Sequence, residues 1–137
     1  MADEFFEYLT GYRSSCKYHC QGNVNIILSA PHGGNQMPDD VPDRTEGICN
    51  DQSEVRQYRT TIVKDSRTDE FAENVANALK SKWNFKPFVI IGKWHRAKVD
   101  FNRHVHEGTL NHSEAISAYE SYHSYLNNAI ERVNQLF

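Results

Sequence analysis

The chain has no excess of charge of one sign. Lys and Arg number 15 against 18 Asp and Glu, a net charge of −3 spread over 137 residues. A basic face that could displace counterions from a phosphate backbone is missing, which argues against a nucleic-acid partner. Long apolar runs are missing too, since nothing approaches the roughly 20 residues of a membrane helix, which argues against a membrane partner. The opening "MADEFFEYLTGYR" carries acids where a secretory leader would carry bases, so a cytoplasmic location is expected. Cysteines number only three (Cys16, Cys20 and Cys49), few and odd, which argues against a complete disulfide framework. "CKYHC" (16–20) therefore reads as ordinary reduced thiols, with part of a metal site as the alternative.

What is present suits one α/β domain spanning residues 1–137. Apolar residues make up 39% and charged residues 24%, enough for a modest core and too apolar for disorder. "EFFEYL" (4–9) suggests a helical turn or a docking strand. "SSCKYHC", "QGN" and "VNIILSA" then read as strand, tight turn and strand, the second nearly continuous in apolar character, as in a strand covered on both faces. Residues 33–60 lack periodicity, and a loop of that length is often functional. "TTIV" (60–63) is a short candidate strand. Phe71, Val75, Ala78, Leu79 and Lys82 or Trp83 recur at helical spacing. "PFVIIG" (87–92) is a second buried strand, which "KVDF" extends or neighbours. Ile116, Tyr119, His123, Leu126, Ile130, Val133 and Phe137 form one stripe of a long final helix, with Asn111 and Glu114 resembling a capping box. Strand, helix, strand and helix in this order predict a mixed, partly parallel central sheet flanked by helices.

"SAPHGGNQMP" (29–38) drives a buried strand into a proline, a histidine and a glycine pair. Ligands in open α/β sheets bind beyond the carboxyl ends of strands, so His32 is either a turn histidine or a metal ligand. Asp65, ahead of the first long helix, is either a helix cap or the carboxylate companion of that histidine. In "KWHRAKVDFNRHVHE" (93–107), Arg96 and Arg103 could grip a substrate carboxylate with paired donors and Asn102 could add an amide. The alternative is an edge strand with solvated charges, on which His104 and His106 would share one face. His123, on the final helical stripe, is either a hydrogen-bonded interior residue or part of a pocket floor.

Taken together, "SAPHGG", "DSRTDEFAENVANAL", "HRAKVDFNR" and "AYESYHSYL" resemble the N-formylglutamate amidohydrolase family, most closely its eukaryotic-type members, over about residues 22 to 133. The resemblance implies a zinc-carboxypeptidase-like α/β/α fold and metal-dependent hydrolysis of an amide on an N-acyl amino acid. It implies His32 and Asp65 as zinc ligands, although related carboxypeptidases take their acid three residues after the histidine, where this chain has Asn35. It further implies that "VDFNR" recognises the substrate carboxylate through Asn102 and Arg103, with Arg96 as a second cationic contact and His123 lining the pocket.

Family members continue into an Asp-x-His-Gly segment that supplies a third metal ligand and, later, an acidic general base. The chain is therefore expected to be a truncated version of the fold, and His95, His104, His106 and His112 occupy no position the family uses. A half-sheet would leave an open edge, covered by a homo-oligomer or by the last helix unless the chain is a fragment. The alternative to a hydrolase is a catalytically inactive descendant that binds a metal or a carboxylate, or a scaffold protein.

Overall fold

The sheet is built around its most apolar segment. In the computed structural model, which describes residues 6–44, 47–48, 57–58 and 61–137, strand β6 (Phe88–Gly92) is buried at every position. It is flanked by β2 (Cys16–His19), antiparallel, and by β3 (Ile27–Ala30), parallel. β1 (Leu9–Thr10) adds a two-residue edge, giving the order β1-β2-β6-β3. β4 (Gly47–Ile48) and β5 (Gln57–Tyr58) form a separate antiparallel ribbon within the long loop. The protein is thus a mixed α/β structure, with three helices: α1 (Thr68–Trp83), α2 (Val105–Thr109) and α3 (Ser113–Leu136). No described helix is long and apolar enough to cross a membrane.

Strand alternation sorts β6 between two cores. Val89 and Ile91 pack with Ala30, Phe6 and the α1 residues Ala72 and Ala76. Phe88 and Ile90 pack with Cys16, Tyr18 and the α3 residues Ala115, Ala118, Tyr122 and Ala129. Helices therefore cover both faces of the sheet, and β3, α1 and β6 form a parallel strand–helix–strand unit.

Several expected details differ. On α1 the buried residues are Asp69, Ala72, Glu73 and Ala76, while Phe71 is 69% exposed. The helix approaches the sheet on small side chains, and its two buried acids meet sheet-side lysines, Glu73 with Lys17 and Asp69 with Lys93. The α3 stripe is likewise offset, with Ala115, Ala118, Tyr122 and Ala129 buried and Ile130 45% exposed. His112, not Asn111, caps α3, and Asn111 takes a left-handed φ of 60° just before it. Residues 61–63 form no strand, and "KVDF" is turn rather than strand. Residues 6–8 have no regular secondary structure and lead into β1, and Phe6 anchors them in the core.

The glycine pair after β3 is explained by crowding. A Cβ on Gly33 would lie 2.6 Å from the Asp69 amide nitrogen, and one on Gly34 would lie 2.4 Å from the Lys93 carbonyl carbon. The strand exit is thus wedged between the start of α1 and the chain leaving β6. Gln36 then resumes pairing with Trp94, so residues 31–35 form a bulge between two paired stretches. Gly34→Ala should cost about 1–3 kcal/mol, because its neighbours are backbone atoms that cannot rotate aside. Urea denaturation checks this, and a loss below about 0.5 kcal/mol, the range of inert surface changes, would contradict the wedge.

Candidate functional site

Pairing of Ala30 with Ile91 puts the following residues at the carboxyl ends of two parallel strands. There His32 is buried to 7% exposure between two carboxylates. Its Nε2–H donates to Asp100 Oδ1 at 2.6 Å, and its Nδ1 lies 3.4 Å from Asp65 Oδ2. Asp65 is held in register by its own backbone, whose N–H donates to the His32 carbonyl at 2.9 Å. Its carboxylate stays 55% exposed and caps no helix, since α1 begins at an Arg67 in left-handed conformation with no side-chain cap.

Asp100 is fully buried and hydrogen-bonded on both oxygens. Besides His32, it accepts from Arg96 Nε at 2.9 Å and from the Asn102 N–H at 2.9 Å, with Arg44 Nη2 at 3.7 Å. Burial would push this carboxyl up, but the bonds from His32, the Asn102 amide and Arg96 outweigh it and hold the group well below the usual carboxylate range. The ionised oxygen can only accept, so the His32 proton on that side must sit on Nε2. In the neutral ring Nδ1 is then a bare lone pair facing the Asp65 carboxylate. At 3.4 Å the two are too far apart for a good hydrogen bond.

Two lone-pair donors so placed suit a cation between them. Ligands at about 2.0–2.2 Å from a tetrahedral zinc lie about 3.3–3.5 Å apart, and an imidazole fixed from behind by a carboxylate is the usual form of such a ligand. The donor set therefore fits zinc in kind and spacing. It is incomplete in number: among the described residues no group of three or more His, Cys, Asp or Glu side chains could hold a metal.

The remaining candidates divide. Arg96 is buried, with Nε on Asp100 and Nη1 3.5 Å from the Val63 carbonyl, so its guanidinium braces the interior. Arg103 and Asn102 lie on the surface; Arg103 donates to the Asn102 carbonyl at 3.1 Å and stands 3.9 Å from Glu107. His123 Nε2–H donates to the Phe101 carbonyl at 2.8 Å, and its ring packs on Tyr119, whose hydroxyl donates to the Arg103 carbonyl. Tyr122 stacks on Phe101 at 4.6 Å. α3 thus supports the "VDFNR" turn from below, and His123 also borders an open groove of about 480 Å³ along α3.

His104 and His106 stack in and before α2, where His104 caps the helix instead of sharing a strand face with its neighbour. In "CKYHC", His19 faces the α1-side core through Phe6, while Cys16 and Cys20 belong to the opposite core as free thiols, so they cannot share a metal. Cys49 lies outside the described residues.

Asp100 and Arg44 escape a reading based on motif chemistry. Asp100 has a usable signal: it is a lone acid between two core residues, Val99 and Phe101. Arg44 has none, because its neighbours in sequence look like any polar loop. No family model, curated protein or solved structure matches the chain.

Proposed function

We propose that this chain is a metal-dependent amidohydrolase-type protein acting on N-acyl amino acids such as N-formylglutamate, with a zinc-carboxypeptidase-like arrangement of its sheet and helices. The observation that carries this is His32 Nδ1 facing the Asp65 carboxylate at 3.4 Å, with Asp100 holding the ring from behind. In this reading His32 and Asp65 hold zinc, which when bound lowers the pKa of a coordinated water to about 7 and polarises a carbonyl. Arg103 and the Asn102 amide receive the substrate carboxylate, and His123 positions them by holding the Phe101 carbonyl. Arg96 serves one step back, keeping Asp100 in place. A cytoplasmic setting accords with the unpaired Cys16 and Cys20 thiols.

Two protein donors fall short of the three that a catalytic zinc uses. For the described residues alone, the supported outcome is binding of metal and carboxylate, and turnover requires a further donor. A second copy covering the β3 edge, unpaired among the described strands, is one source, and it makes hydrolysis depend on protein concentration. Hydrolysis of N-formyl and N-acetyl amino acids by zinc-loaded protein separates enzyme from binder. Arg103→Ala should weaken binding of N-formylglutamate by about 2 kcal/mol, the worth of a hydrogen bond to a charged group. Calorimetry reads this directly, and unchanged affinity removes Arg103 from the site.

A further inference from the structure

We infer that Arg44 is a positioning residue that fixes where Asp65 stands relative to His32. The long loop after β3 delivers this arginine into the interior, where it is 2% exposed. Its Nε and Nη2 donate to the Arg96 carbonyl at 3.0 and 2.8 Å, Nη1 to the Glu107 carbonyl at 3.0 Å, and Nη2 also to the Thr61 carbonyl at 2.5 Å. One guanidinium therefore ties together three separate stretches of backbone.

The bond to Thr61 gives the clamp its functional meaning. Residues 61–65 have no regular secondary structure, and all of them but the half-buried Lys64 are exposed. Packing does not place this segment. Described bonds do: Arg44 to the Thr61 carbonyl, Arg96 to the Val63 carbonyl, Lys64 to the Asn35 side chain, and the Asp65 N–H to the His32 carbonyl. Arg44 and Arg96 are themselves locked, the first to the carbonyl of the second, so the strap carrying Asp65 is fastened to the same buried unit that orients the His32 ring. A lysine keeps the charge but has no planar fork with which to hold the Arg96, Glu107 and Thr61 carbonyls at once.

This inference rests on the proposed metal pair for its function but not for its structural content, and the test separates the two. In Arg44→Lys, amide hydrogen exchange at Asp65 should quicken about tenfold while the amides of β6 keep their protection, as local opening of one strap requires. Zinc affinity, measured by titration with the metal alone, should fall about tenfold, the cost of losing an outer support of a ligand. In an Asp65→Asn background the same Arg44→Lys change should alter zinc affinity less than twofold, because its route to the metal is gone. Unchanged exchange at Asp65 overturns the inference, as does a tenfold loss of affinity that persists without the Asp65 carboxylate. A wild-type chain that binds no zinc overturns the proposed function instead, and the exchange result still decides the role of Arg44.

Discussion

Replacing Asp100 by asparagine should cost about 3–5 kcal/mol, the usual penalty for removing one partner of a buried ion pair. The change preserves shape and takes away the charge around which the interior is arranged. Arg96 and Arg44, at 7% and 2% exposure, then lose the buried carboxylate they share, and neither can shed its proton to relieve the strain. The asparagine keeps one acceptor for His32, Arg96 and the Asn102 amide, where the carboxylate receives all three. Urea denaturation at neutral pH measures the loss; a change below about 1 kcal/mol, typical of exposed pairs, would mean that the cluster is solvated.

The same carboxylate sets an acid dependence whose sign follows from linkage. Its folded pKa lies below the unfolded value of about 3.9, so its stabilising contribution is complete above that value and is lost as the pH falls further toward the folded one. Wild-type stability should therefore drop below about pH 4 more steeply than that of Asp100→Asn.

β6 was readable because burial on both faces leaves it no polar position, whereas "VNIILSA" overstates β3, which holds only Ile27–Ala30, is half-buried and leaves Ser29 exposed. The two long helices were readable as helices, but their inward faces were not, and α2 was not readable, its residues looking like an edge strand. Hydrophobicity points to Phe71, whereas the sheet is met by Ala72 and Ala76, because close approach of a helix rewards small side chains. Asp69 and Glu73 sit inward because Lys93 and Lys17 reach them from other elements, a pairing that no local pattern announces. The "VDFNR" motif is visible in the sequence, where its chemistry points to the exposed Asn102 and Arg103. The buried Asp100 organises His32, and its importance depends on three partners distant in sequence. His32 and Asp65 could be named as candidates from strand-end and helix-start positions; their 3.4 Å approach is a product of the fold.

His32→Ala should have the largest effect on ligand binding. Loss of an outer support costs a metal site about 10–100-fold, so loss of a direct ligand from a two-donor set should exceed about a hundredfold. The fold should survive better than in Asp100→Asn, because Asp100 keeps Arg96 and the Asn102 amide when the imidazole is gone. A native circular dichroism spectrum together with lost affinity is the expected pair of results.

Zinc titration of the wild-type chain and of His32→Ala, followed by calorimetry on metal-free protein, tests the central claim most directly. One zinc per chain in the wild type, lost in the variant, is the predicted result. Equal zinc binding by both proteins, or none by the wild type, would contradict it.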